Sequence, residues 1–282
     1  LVALAGMLAE HFGAIEGASI DANKGAYSSA WTIIFAVIAA IMVLIGIYHI
    51  KMLPSTQVPA TGKKTTSEIV TDLLNVIGNF FTKRHIVYYI FFIILYRLAE
   101  GFIMKVAPLF LRASREVGGL GLSLKEIGTL NGVFGSAAFV IGSLLGGIFV
   151  ARYGLKKTLF TLCCVFNLPF IAYTFLAVVQ PTSLYLIGTC ITMEYFGYGF
   201  GFVGLTLFMM QQIAPGKHQM SHYAFASGIM NLGVMLPGMV SGYFSDLLGY
   251  RSFFIYVLIA TIPAFLMTYF IPFTYDDSKK KK

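Results

Sequence analysis

Charge is what this chain has least of. Asp, Glu, Lys and Arg make up 11% of its 282 residues, against about 25% in soluble domains. Hydrophobic residues reach 57% and the mean hydropathy is +0.80. That balance excludes a disordered chain and argues against a soluble enzyme. Cysteine is scarce as well: Cys163, Cys164 and Cys190 all lie inside apolar runs. Adjacent cysteines rarely bridge, and no metal-ligand spacing surrounds these, so they read as small core residues. The chain has no Walker loop, no nucleophile elbow and no paired metal-binding histidines. No catalytic constellation, metal site or cofactor is therefore expected, and the chain itself cannot power work by ATP hydrolysis. The short apolar/polar alternation of a transmembrane barrel is missing too.

What is present is a series of apolar runs longer than about 18 residues, the mark of a polytopic helical membrane protein. Clean spans run from Ser28 to Ile50, Ile86 to Leu111, Ile127 to Ala151, Thr158 to Val179, Leu184 to Met210, Ser221 to Phe244 and Ser252 to Ile271. Each is long enough to cross an apolar layer of roughly 30 Å at about 1.5 Å per residue. The apolar start, Leu1 to Leu8, reads as the end of an earlier span, and the chain as part of a longer protein.

The net charge is +8. The basic residues lie mainly in short loops, so topology explains them and no nucleic-acid partner is expected. With Lys51 placed in the cytoplasm, 13 basic residues share its side: Lys51, Lys63, Lys64, Lys83, Arg84, Arg152, Lys156, Lys157, Lys217 and Lys279 to Lys282. The other side holds 5: Lys24, Arg112, Arg115, Lys125 and Arg251. The bias predicts a cytoplasmic C-terminus.

The longest polar connection runs from Lys51 to His85. Pro54, Pro59 and Gly62 interrupt its first half. In its second half Ile69, Val70, Leu73, Leu74, Ile77 and Phe80 recur at helical spacing, and Thr65 with Glu68 forms a capping-box pattern. The expectation is an amphipathic helix on the cytoplasmic membrane surface. The predicted organisation is an all-α membrane bundle. Residues 1–27 are the end of a span and an external loop, and 28–50 a transmembrane helix. Residues 51–85 form the linker, 86–271 a six-helix bundle and 272–282 a cytoplasmic tail. A six-span block after a long cytoplasmic loop suggests a two-half transporter whose other half lies upstream.

Arg97 and Glu100 are the strongest functional signal. Arg97 lies 11 residues past Ile86, roughly 16 Å deep by helical rise. At spacing i, i+3 the two share a face and can pair. Charges inside a membrane are costly and ordinarily mark a pathway or a watery cavity. Lys105 is nearer the outer end, where it can snorkel. Glu194 is the second signal, 10 residues past Leu184 and also mid-depth. No basic residue accompanies it in its helix, and a lone buried carboxylate suits a proton carrier. The alternative for each is structural: an ion pair or a single interhelical hydrogen bond.

Gly128, Gly132, Gly135, Gly142, Gly146 and Gly147 line one span, where small residues let helices approach closely. Gly197, Gly199 and Gly201 add the expectation of bending. Asn131, Asn167 and Asn231 are intramembrane amides, ordinarily interhelical glue. Asn231 and Tyr195 nevertheless join the candidate pathway. His222 reads as a loop-edge histidine.

The run Gly146-Gly147-Ile148-Phe149-Val150-Ala151-Arg152-Tyr153-Gly154-Leu155-Lys156-Lys157 resembles the cytoplasmic signature loop of the major facilitator superfamily. Gly147, Arg152, Gly154, Lys156 and Lys157 carry the likeness, and Ala151 stands where that motif usually has an acidic residue. Leu95-Tyr96-Arg97-Leu98-Ala99-Glu100 resembles the seventh helix of AmpG-type permeases. Met193-Glu194-Tyr195 with its glycines resembles their tenth, and Gly242-Tyr243-Phe244-Ser245-Asp246 with Gly249-Tyr250-Arg251 their last helix connection. The resemblance covers about Ile86 to Ile271. It implies a proton-coupled permease of the bacterial inner membrane that imports muropeptides, with protons, solute and lipid as its partners. It also places Arg97, Glu100 and Glu194 on the cavity-lining helices of a half. Open alternatives are a permease for a sugar, peptide or coenzyme A derivative, and a non-transporting sensor.

Overall fold

The computed structural model describes residues 2–15, 23–52 and 65–275. Pro54, Pro59, Gly62, Lys63, Lys64, the tail from residue 276 and the side chain of Ile69 lie outside the described residues. The secondary structure among the described residues is helical. In a bilayer every backbone polar group must be satisfied internally, and a helix does this within its own segment.

The helices are α1 (Val2–His11), α2 (Lys24–Met52), α3 (Thr66–Phe81), α4 (Ile86–Tyr96), α5 (Leu98–Arg112), α6 (Leu124–Thr129), α7 (Ser136–Tyr153), α8 (Leu155–Asn167), α9 (Phe170–Val179), α10 (Leu184–Phe208), α11 (Gln219–Ala260) and α12 (Ile262–Tyr269). Short π-helical stretches, Leu130–Gly135 and Met209–Ile213, join α6 to α7 and extend α10. Five stretches among the described residues are long and apolar enough to cross a membrane: Lys24–Met52, Ile86–Arg112, Leu124–Tyr153, Leu155–Val179 and Gln219–Tyr269. Helix α10 has the length, at 25 residues, but carries Glu194 and a run of glycines and tyrosines in place of aliphatic side chains.

Several apolar runs are not single helices. The run from Ile86 breaks at Arg97, whose φ of −105° and ψ of 6° leave the helical region. The run from Leu155 breaks at Leu168–Pro169, where proline supplies no N–H for the ladder. Within α11, Gly249 has φ 70° and ψ 160°, and the chain turns back there. The rings of Phe244 and Tyr256 prove the reversal. They stack 5.4 Å apart, whereas 12 residues of straight helix would separate them by about 18 Å.

Helix α3 starts where the sequence pattern puts it. Thr65 is its N-cap and exchanges bonds with Glu68, so both arms of the capping box are present. Its far end docks on the bundle through Phe80, which is buried against Phe225 and the His222 ring. His222 itself is buried, with Nε2 3.3 Å from the Val76 carbonyl. It is therefore an inter-element contact rather than a loop-edge residue. Val70, Leu73 and Leu74 remain exposed along α3.

The basic residues gather at two ends. At one, Lys83 donates to the carbonyls of Ile213 and Pro215, tying the α3–α4 turn to the end of α10. Burial pulls the Lys83 ammonium below the usual lysine range. At the other, Arg115 donates to the carbonyls of Gln180 and Pro181 at 2.8 and 2.9 Å. Lys125 faces Glu10 of α1 at 3.7 Å at an exposed site, where such pairs contribute little.

Glycine decides the tightest packing. A Cβ at Gly142 would land on the carbonyl of Phe196, one at Gly146 on that of Phe200, and one at Gly199 on that of Phe139. Helices α7 and α10 are thus in backbone contact, and the Ser143 hydroxyl donates to the Gly199 carbonyl at 3.2 Å. Gly197 and Gly201, one turn apart, face α8 in the same way, against Val165, Leu162 and Phe166. Helix α10 runs unbroken through these glycines, from Leu184 to Phe208. Their role is close approach on two sides.

Candidate functional site

Arg97 and Glu100 are both 5% exposed. The Arg97 Nε–H and one Nη2–H donate to the two carboxylate oxygens of Glu100, each at 2.6 Å. This is the bidentate geometry that makes a guanidinium–carboxylate pair strong and directional. The cation also lies 5.2 Å from the centroid of the Phe202 ring, and its Nη2 is 3.5 Å from the Tyr198 hydroxyl. The helix break puts the pair in place. Arg97 is the residue between α4 and α5, and Glu100 falls in the first turn of α5, at the positive end of its dipole. Gly101, the next residue, packs directly on Pro237 and Val234 of α11, so the break is held from behind.

Glu194 is 9% exposed. Among the described residues it has no ion-pair partner. It lines a cavity of about 180 Å³ that Glu100 lines as well. Helix α5 contributes Glu100, Ile103, Met104, Ala107, Pro108 and Leu111 to the wall. Asn131 comes from the π-helical stretch, Tyr173 from α9, and Tyr195 and Tyr198 from α10. Met104 and Pro108 are exposed and mark its mouth. The two carboxylates read from the sequence therefore share one chamber, although they lie 94 residues apart in the chain.

Tyr195 lies in the lining and its ring rests on Gly135, where a Cβ would sit 3.0 Å from ring carbons. Lys105 is not in the lining. It is exposed, and its side chain runs along Gly238 of α11. Asn231 is also exposed and outside the lining, while Asn131 is inside it. The amide in the chamber is thus not the one the sequence reading chose. Tyr198 could have been found from sequence, because it is four residues from Glu194 and shares its helix face. Tyr173 carries no local signal.

In the signature loop Gly154 has φ 83° and ψ 145° and makes the turn from α7 to α8, a conformation glycine adopts without strain. Gly147 packs against nothing within 4 Å. The Arg152 guanidinium lies 5.5 Å from the Tyr153 ring centroid. Arg152, Lys156 and Lys157 are exposed at that end of the bundle. Cys163 is buried and all three cysteines are free thiols.

The family model described as Major Facilitator Superfamily matches residues 1–213 and, in a second match, 120–282. The "Anhydromuropeptide permease" of Escherichia coli (strain K12) is 24% identical over 189 residues, 67% of this chain and 37% of that protein. The "Putative transporter AmpG 1" of Rickettsia conorii is 24% identical over 220 residues, 78% of this chain and 50% of that protein. The "Putative transporter AmpG 4" of the same organism is 25% identical over 267 residues, 94% of this chain and 61% of that protein. The chain spans less than two thirds of the length of these curated relatives. With its helical membrane bundle, its glycine-turned α7–α8 loop and a family model that covers it from end to end, the chain belongs to the Major Facilitator Superfamily.

Proposed function

We propose that this chain belongs to a proton-coupled importer of the bacterial inner membrane whose solutes are anhydro-sugar peptides released from peptidoglycan. The observation that carries the reading is the contrast inside one chamber. Glu100 is neutralised by a bidentate arginine, and Glu194 has no counter-charge among the described residues. Arginine keeps its charge even when buried, so the Arg97–Glu100 pair is a fixed element. Glu194 is then the carboxylate free to change its charge, and an unpaired charge in a low-dielectric site is relieved by taking a proton. In the proposed cycle Glu194 loads a proton while the chamber faces outward and releases it inward as the two halves rock. Arg97 and Glu100 hold the α4–α5 break, and Tyr195 forms part of the wall that contacts solute. The solute class rests on the relatives' names, "Anhydromuropeptide permease" and "Putative transporter AmpG 1". The basic end, with Lys83, Arg84, Arg152, Lys156, Lys157 and Lys217, is read as cytoplasmic, and the C-terminus with it.

The test is uptake of radiolabelled anhydromuropeptide by the full-length protein in proteoliposomes. An inward proton gradient should drive accumulation and an uncoupler should abolish it. Uptake indifferent to the gradient would remove the coupling. Transport of a sugar, peptide or coenzyme A derivative in its place would move the substrate and leave the coupling standing. For the topology, a Ser278→Cys variant should resist an impermeant thiol reagent added to intact cells, and ready labelling would reverse the orientation.

A further inference from the structure

The chamber holds one group that proton coupling does not use. The Asn131 Oδ1 is buried and accepts no hydrogen bond. A buried acceptor without a donor costs free energy, and native folds keep few of them. Interhelical glue would have a partner on the next helix. Asn131 instead sits on the π-helical stretch Leu130–Gly135, a geometry that is rare and concentrated at functional sites.

The rest of the lining is one-sided in the same sense. The Glu194 carboxylate is also without a donor from an ion-pair partner. Among the described residues no Lys, Arg or His lines the chamber, and the neighbouring Arg97 is committed to Glu100 by two bonds. Tyr173, Tyr195 and Tyr198 supply aromatic surface. The volume, about 180 Å³, is that of about six waters. It lies below the roughly 300–1,000 Å³ of a pocket for a drug-sized ligand. One small ring fits; a whole oligosaccharide or peptide does not.

We propose that this chamber is a subsite for one uncharged, ring-sized group bearing hydrogen-bond donors, hydroxyl or amide N–H, and that Asn131 positions it by accepting from one of them. Tyrosine faces hold the apolar face of the ring while the acceptors take its donors. An anionic group is disfavoured there: among the described residues no uncommitted cation lines the chamber, and Glu194 repels an anion when charged. The inference deepens the transport reading by assigning the ligand chemistry of its cavity, but it does not depend on which solute carries the ring.

The test uses thermal shifts of the purified full-length protein with a defined panel. N-acetylglucosamine and glucose are the neutral-ring probes, glucuronate and glucose 6-phosphate the anionic rings, and anhydromuropeptide the solute that carries neutral rings beside its peptide carboxylates. Neutral-ring probes should raise the melting temperature and the anions should not. Asn131→Leu should weaken the responding probe at least tenfold, while Asn131→Gln, which keeps a neutral amide acceptor, should lose less than the Leu variant. Without ligand, Asn131→Leu should melt no lower than wild type, because it removes an unsatisfied group. A lower melting point would make Asn131 structural and overturn the proposal. So would binding of the anions, no response to any neutral ring, or undiminished affinity in the Leu variant. A neutral ring that binds while anhydromuropeptide does not would overturn the substrate reading alone.

Discussion

The broken pair α4–α5 and the helix α10 each bring a carboxylate to one chamber, but they are built in opposite ways. The first is broken at Arg97 and spends the break on holding an ion pair. The second is unbroken, and its glycines bring it into backbone contact with α7 on one side and α8 on the other. A paired carboxylate in a low-dielectric site is held in place by its partner. A lone one on a rigid, tightly held helix can change charge without moving its support. In the proposed function the difference separates two jobs: keeping a fixed charge and exchanging a proton.

The largest expected effect comes from removing the arginine. Arg97→Gln leaves Glu100 buried and unpaired, a change that costs about 3–5 kcal/mol when one partner of a buried pair is lost. Uptake should fall by about 100-fold or more, roughly 2.7 kcal/mol in transport. Adding Glu100→Gln should recover much of the melting temperature without recovering uptake, since a neutral pair leaves no orphaned charge. Near-normal uptake in the single variant would erase the contrast between the two helices.

A smaller loss tests the rigid support of Glu194. Gly199→Ala puts a methyl on the Phe139 carbonyl, and Gly242→Ala meets nothing within 4 Å. The first should cost about 1–3 kcal/mol of stability by overpacking, and the second should change the melting temperature little. Equal melting of the two variants would mean the α7–α10 contact is slack. The smallest effects belong to the residues the chamber leaves out. Lys105→Ala and Asn231→Ala should keep uptake within about twofold, since side chains away from packed or paired sites contribute little. A loss of tenfold in either would extend the pathway beyond the present lining.

Much of this was legible in the sequence, and for a physical reason. Apolar runs of membrane length and the basic loops between them are imposed by the bilayer, so the helices could be read one by one. Arg97, Glu100 and Glu194 stood out because a charge inside such a run is expensive. The capping box at Thr65 was readable because its chemistry is local. What escaped depends on three dimensions. The break at Arg97 falls where no proline or glycine announces it. The reversal at Gly249, by contrast, falls in the connection that the sequence places between Phe244 and Ser252, and the stacking of Phe244 on Tyr256 agrees with it. Asn131 and Asn231 look alike in sequence, yet only the first lies in the chamber, on a π-helical stretch that no pattern of apolar residues reports. Gly199 offered two readings, flexibility or contact, and only the neighbouring backbone of Phe139 chooses between them.

The division of labour between the two carboxylates is tested most directly on Glu194. Gln keeps the shape and the hydrogen-bonding of the protonated acid but cannot exchange a proton. In proteoliposomes holding the Glu194→Gln protein, two quantities are compared: accumulation of labelled anhydromuropeptide against its gradient, and counterflow exchange at equal pH. The account predicts that accumulation is lost while exchange persists. Undiminished accumulation that an uncoupler still collapses would show Glu194 to be a structural side chain and would contradict the account at its centre.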